Sequence, residues 1–162
     1  MKFLTAMVAT GLLIAGTSSV WAGETESGLK EGESIGAFYV TKLAGAEDDG
    51  VEAGKNLCYR CKNGSRPQVM VFTRSCDEKV VKLIQELDKK LSENSDKELR
   101  AFVSVLAEEK SDATAAGKAL AEQTKAKHVP FVVPNECENG PENYGLNAKA
   151  AVTIIMAEGG KV

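Results

Sequence analysis

Short apolar runs alternate with two amphipathic stretches along residues 36–156 of the chain. The runs predict strands because they are rich in β-branched and aromatic residues and are bounded by turn-forming ones. Val69–Phe72 is apolar at every position, as in a strand that is covered on both faces of its sheet. The predicted strands cover residues 36–43, 69–72, 99–106, 129–133 and 151–156.

Two further segments have the periodicity of helices. The first follows Ser75–Glu78, which matches the S-x-x-E capping box, and its apolar residues lie on one face. The residues of that stripe are Val80, Ile84, Leu87 and Leu91. A second, alanine-rich helix is predicted over residues 111–127. Strands that alternate with helices require crossover connections and a largely parallel sheet, so the predicted fold class is α/β.

A hairpin is predicted immediately before the first buried strand. Leu57–Cys61 and Pro67–Phe72 read as extended segments, and Asn63-Gly64 between them is a strong signal for a tight turn. This hairpin would carry the motif Cys58-x-x-Cys61.

The N-terminus predicts export. Lys2 precedes an apolar stretch, Phe3–Ala15, and Val20 and Ala22 are placed like the small residues of a cleavage site. We expect a signal peptide over residues 1–22, cleavage near Ala22, a flexible lead-in over 23–33 and delivery to the periplasm or the extracellular space. No membrane span is expected after cleavage. Disulfides persist in such compartments.

Composition removes several classes of function. Hydrophobic residues make up 43% of the 162 residues and charged residues 27%, as in ordinary globular proteins. The net charge is −3, and no basic stripe is visible, which disfavours nucleic acid as a partner. The acidic stretch within residues 44–55 lacks the ligand spacing of a calcium loop and is interpreted as a solvated loop.

The order of elements resembles the thioredoxin fold. The resemblance is carried by the buried strand Val69–Phe72, by Cys76 and the helix after it, and by Tyr144–Leu146 with the late strand Val152–Met156. It implies a three-layer α/β domain over residues 34–162, with a central mixed sheet flanked by helices. The lead-in strand is similar to the exported thiol-disulfide-interchange and peroxiredoxin branch. The resemblance implies one more strand and helix at the end of the fold, and these are expected to lie outside residues 34–162.

Three positions depart from the pattern of that fold. Its redox pair would lie at the helix start after the strand, where this chain has Cys76, with Lys79 three residues on. The pair that does exist, Cys58 and Cys61, precedes the strand. Val152 stands where a cis-proline would precede the last strand, so a trans peptide bond is expected there.

Cys58 and Cys61 are the principal candidates for catalysis. They lie among four cations that favour the thiolate, which is the attacking form in disulfide exchange. Those cations are Lys55, Arg60, Lys62 and Arg66. Three interpretations remain open: an active dithiol, a structural clip on the hairpin, or half of a metal site completed by Cys76, Cys137 or His128.

Cys76 is a candidate additional catalytic thiol. At the predicted first helical position its sulfur would face unpaired backbone N–H groups, which favour a thiolate. Two alternatives remain open: an inert, half-buried thiol, or a disulfide with Cys137, which lies between two glutamates that disfavour its thiolate. Four cysteines allow three connectivities, of which Cys58–Cys61 with Cys76–Cys137 is preferred.

The sequence therefore supports three functional hypotheses. The first is thiol-disulfide exchange through Cys58 and Cys61, with protein thiols or disulfides as partners and peroxide reduction by Cys76 as a variant. The second is a non-catalytic binding or structural module that is stabilised by disulfides. The third is a copper or zinc carrier. No resident cofactor is expected, and no oligomeric state is indicated.

Overall fold

The computed structural model describes residues 25–162, so the predicted signal peptide lies outside the described residues. Six strands and three α-helices form the described part, with single 3₁₀ turns at Ser95–Lys97 and Glu142–Tyr144. The strands are β1 (Val40–Ala44), β2 (Asn56–Leu57), β3 (Gln68–Thr73), β4 (Arg100–Val105), β5 (Phe131–Pro134) and β6 (Val152–Ala157). The helices are α1 (Tyr59–Asn63), α2 (Glu78–Glu93) and α3 (Lys110–Thr124).

The strands form one mixed sheet in the order β2-β1-β5-β4-β3-β6. β3, β4 and β5 are parallel, whereas β1 runs antiparallel to β5 and β6 antiparallel to β3. The parallel strands are joined through α2 and α3, as the alternation of strands and helices predicts. The predicted α/β class and central mixed sheet are confirmed.

Two hydrophobic clusters cover the two faces of the sheet. On one face α2 and α3 pack Ile84 and Leu120 against β3, β4 and β5. On the other face the covering layer is α1, together with the segment that contains Phe38 and the 3₁₀ turn that contains Tyr144. The result is the predicted three-layer arrangement, in which one outer layer contains a single short helix.

The predicted hairpin is wrong. Residues 59–63 form helix α1 instead, because the Cys58 Sγ accepts a hydrogen bond from the backbone N–H of Cys61 and so caps the helix. Asn63-Gly64 ends this helix rather than turning a hairpin: Gly64 has φ +65°, a left-handed value that favours glycine at a helix C-terminus. The Cys58-x-x-Cys61 motif therefore lies at the start of a helix.

The described part of the predicted lead-in is bonded to the domain. The backbone N–H of Gly28 donates to Gly145 O at 3.0 Å, and that of Gly32 donates to Val162 O at 2.7 Å. The Ser27 hydroxyl lies 2.6 Å from that of Thr153 in β6. These contacts hold residues 27–32 against the sheet edge, so the expectation of a flexible segment does not apply to them.

β6 is an edge strand that pairs with β3 alone. Its Ile155 is buried on the side of α1, whereas Ile154 and Met156 are exposed on the opposite face. The chain is trans at the bond before Val152, as expected, since the described residues contain no cis peptide bond. None of the helices among residues 25–162 has the length and apolar character needed to cross a membrane.

Candidate functional site

Cys58 and Cys61 form a disulfide at the start of α1. The helix follows β2 and precedes β3 in the chain, and Cys58 comes directly after Leu57, which pairs with Val40 of β1. Cys58 is only 8% exposed, whereas Cys61 is exposed on the surface. The structure thus brings together the two residues that the sequence identifies as principal candidates, and it leaves one sulfur-bearing residue open to solvent.

Burial of two side chains fixes α1 against the sheet. The ring of Tyr59 packs against Phe102 of β4, with 5.8 Å between the ring centroids. Asn63 is buried at the other end of the helix and donates from Nδ2 to Gln68 Oε1 at 3.4 Å. A five-residue helix is too short to be stable alone, so these contacts position the disulfide.

A buried ion pair lies behind Tyr59. Lys42 of β1 is 3% exposed, and its Nζ donates to Asp49 Oδ1 at 2.8 Å and to the carbonyls of Ala46 and Val51. The second carboxylate oxygen of Asp49 accepts a 2.5 Å hydrogen bond from the Tyr59 hydroxyl. Burial, followed by this contact with Asp49, raises the pKa of Tyr59, so the phenol stays protonated.

Sequence reasoning missed this network. Asp49 lies in the acidic stretch interpreted as solvated, but it accepts three hydrogen bonds and has the counter-charge of a buried lysine. The sequence feature that could have indicated this network is Lys42, which falls within a strand, two residues from apolar Val40 on one side and from Ala44 on the other. A lysine at such a position requires a buried acidic partner.

The cations predicted around the disulfide are only partly available to it. Arg60 donates from Nε to the Ile35 carbonyl at 3.0 Å, and Arg66 pairs with Glu98 at 3.0 Å. Lys55 and Lys62 are exposed. Arg60 also acts on Tyr144: burial raises the pKa of Tyr144 to about 12, and the charge of Arg60 partly opposes that rise.

Cys76 and Cys137 lie in loops that follow the central strands. Cys76 follows β3 and Cys137 follows β5, and the backbone N–H of Ala107, just beyond β4, donates to Cys137 O. Neither residue is bonded to Cys58 or Cys61.

The preferred Cys76–Cys137 disulfide is not formed, and both residues are free thiols. Their sulfurs are turned to different backbone groups: Cys76 Sγ faces the Ala116 carbonyl at 4.0 Å, and Cys137 Sγ faces the Glu108 carbonyl at 3.8 Å.

The predicted place of Cys76 at the first helical position is wrong. Asp77, not Ser75, caps α2 by accepting hydrogen bonds from the N–H groups of Lys79 and Val80, so Cys76 lies outside the helix. Burial raises the pKa of the Cys76 thiol, and the adjacent Asp77 carboxylate raises it further. The structure thus favours the protonated, unreactive form.

His128 is exposed and precedes β5. It lines a cleft of about 590 Å³ beside α1 together with Lys62 and Arg100, and its backbone N–H donates to Asp88 Oδ1 at 2.6 Å. Within residues 25–162, no three histidine, cysteine, aspartate or glutamate side chains are grouped so that they could hold a metal ion.

Comparison with solved structures shows that this fold is thioredoxin-like. A candidate thiol:disulfide interchange protein DsbE from Chlorobium tepidum has a TM-score of 0.60 at 15% identity, covering 83% of this chain and 82% of that one. The thioredoxin domain of a thiol-disulfide oxidoreductase from Bacteroides vulgatus has a TM-score of 0.52 at 14% identity, over 82% and 85% of the two chains. Mycobacterium tuberculosis AhpC has a TM-score of 0.54 at 17% identity, over 80% of each chain.

These similarities establish the fold and do not by themselves establish an activity. No protein-family model and no curated protein sequence matches the chain. The resemblance inferred from the sequence is confirmed at the level of the thioredoxin-like fold.

Replacing Lys42 with methionine is expected to lower the free energy of unfolding by about 3 kcal/mol, because it leaves the Asp49 carboxylate without its counter-charge. Urea unfolding measures the change. Lys62→Met on the exposed side of α1 is the control and should change stability by less than about 0.5 kcal/mol. Equal effects of the two substitutions would contradict the structural role of the ion pair.

Alkylation of Cys76 by iodoacetamide should be slow at pH 7 and should accelerate as the pH rises past 9, since only the thiolate reacts and the thiol pKa is raised. Peptide mapping by mass spectrometry separates Cys76 from Cys137. Asp77→Asn keeps the helix cap but removes the negative charge, so it should increase the rate at pH 8 by about twofold. A rate that is already constant above pH 7 would show that Cys76 is an activated thiolate.

Proposed function

We propose that this protein exchanges thiols and disulfides with other proteins through Cys58 and Cys61. The observation that carries the proposal is a Cys-x-x-Cys disulfide at a helix start, with one cysteine exposed, on a thioredoxin-like fold. Exposure is necessary because a partner sulfur must approach along the line of the S–S bond.

The reaction is a pair of sulfur substitutions. A partner thiolate attacks one sulfur of the disulfide, the S–S bond breaks, and the other cysteine takes the electron pair as a thiolate. A second partner thiolate then displaces the protein from the mixed disulfide. The partner leaves oxidised, and Cys58 and Cys61 are left as the dithiol. The same steps in reverse reduce a partner disulfide.

A purely structural role for this disulfide has less support. Closing a loop between residues three apart restricts the unfolded chain by only about 2 kcal/mol, the low end of what disulfides contribute. α1 is in addition held by the buried side chains of Tyr59 and Asn63, which do not depend on the bond.

The other hypotheses from the sequence have weaker support from the site. Peroxide reduction by Cys76 would require a reactive thiolate, and burial together with Asp77 favours the thiol. A copper or zinc carrier would need further ligands close to Cys58 and Cys61.

We also propose that the exchange takes place outside the cytosol. The support is the sequence of residues 1–22, which has the organisation of a signal peptide. An oxidising compartment is where a protein disulfide of this kind would be maintained and used.

The test is reduction of a disulfide substrate such as insulin by the purified protein with a thiol as the electron source. The wild type should increase turnover above the thiol alone, and a Cys58→Ser, Cys61→Ser double variant should fall to that background. Cys76→Ser is the matched control and should retain the wild-type rate, because Cys76 is a free thiol outside the Cys58–Cys61 disulfide. Equal rates for the wild type and the double variant would refute the proposal.

A further inference from the structure

We infer that the two cysteines have different and fixed roles. Cys61 is the sulfur that forms the mixed disulfide with the partner, and Cys58 is the sulfur that is released as a thiolate and later re-forms the Cys58–Cys61 bond. The inference rests on the proposed exchange function and specifies which residue forms the mixed disulfide. The partner-bonding sulfur would then be the second cysteine of the motif.

Exposure distinguishes the two sulfurs. Cys58 is 8% exposed and is followed by the buried Tyr59. Cys61 is exposed on α1, next to the exposed Lys62. The anchoring of Tyr59 and Asn63 fixes the rotation of the helix, so opening the disulfide does not exchange the two environments. A protein thiolate can therefore reach Cys61 but is hindered from Cys58.

Hydrogen bonding favours the same order. Cys58 Sγ is the atom that accepts the Cys61 backbone N–H, at 3.1 Å. A hydrogen bond to a sulfur is stronger when that sulfur carries negative charge, so Cys58 is the better leaving thiolate. Disulfide exchange is faster when the departing sulfur is the more stable thiolate.

The step balances as follows. A partner thiolate attacks Cys61 Sγ, the bond between Cys61 and the partner sulfur forms, and the bond between Cys58 and Cys61 breaks. The electron pair of the broken bond goes to Cys58 Sγ, which the Cys61 N–H already contacts. In the resolving direction Cys58 attacks Cys61 Sγ, and the partner departs as a thiolate.

The first test compares the reduced variants Cys58→Ser and Cys61→Ser, each allowed to react with glutathione disulfide at neutral pH. Peptide mapping by mass spectrometry gives the rate at the remaining cysteine. Once each rate is divided by the thiolate fraction measured in the same variant, Cys61 in the first variant should react about tenfold faster, or more, than Cys58 in the second, because burial limits access to Cys58. Equal rates, or a faster Cys58, would overturn the inference.

Two controls keep this test decisive. Serine at position 58 can still cap α1, and position 61 is exposed, so both variants retain the main contacts of the fold. In guanidinium chloride burial is lost, and the two rates should converge to within about threefold. A variant that fails to fold would show the same rate with and without denaturant.

The second test uses the unmutated protein. After full reduction, a pulse of iodoacetamide below stoichiometric amounts, given at a pH where both cysteines are thiolates, should label Cys61 before Cys58, whereas labelling of Cys58 first, or of both equally, would overturn the inference. Disulfide turnover is measured separately. If turnover is absent but Cys61 is labelled first, the exchange function fails and the difference between the sulfurs stands. If turnover is present but Cys58 is labelled first, only the assignment of roles fails.

Discussion

The arrangement of the disulfide depends on the burial of Tyr59 and Asn63. A helix of five residues has no stability of its own, so its position and rotation come from these side chains and from the Asp49 carboxylate behind Tyr59. That carboxylate is in turn held by the buried ammonium group of Lys42. Once the helix is fixed in this way, Cys58 is covered and Cys61 faces outward.

The two pairs of cysteines differ in sulfur chemistry. Cys58 and Cys61, at the start of α1, form a disulfide in which Cys61 is exposed. Cys76 and Cys137, in the loops after β3 and β5, are free thiols, and burial and Asp77 raise the pKa of the Cys76 thiol. In this chain the loop that precedes α2 has only one cysteine, and the Cys-x-x-Cys motif begins its own short helix, α1.

The strands and long helices could be predicted from the sequence because their apolar residues recur with the period of the face that each element buries in the core. Val69–Phe72 and the stripe from Val80 to Leu91 are examples, and both lie in the core as expected. The site was harder to predict. Asn63-Gly64 serves a hairpin turn and a helix end equally well, and only the capping of α1 by Cys58 distinguishes them. The pairing of Lys42 with Asp49 joins residues whose patterns, taken alone, indicate a strand and a solvated loop.

The central claim is that the Cys58–Cys61 bond opens and closes within the folded domain. A redox titration in glutathione buffers, with alkylation and mass spectrometry to count free thiols and circular dichroism to follow the fold, tests this claim most directly. The account predicts reversible reduction at a potential of roughly −180 to −270 mV, the range of exchange proteins, with the fold retained. A bond that stays closed below roughly −300 mV, or a domain that unfolds when the bond opens, would contradict it.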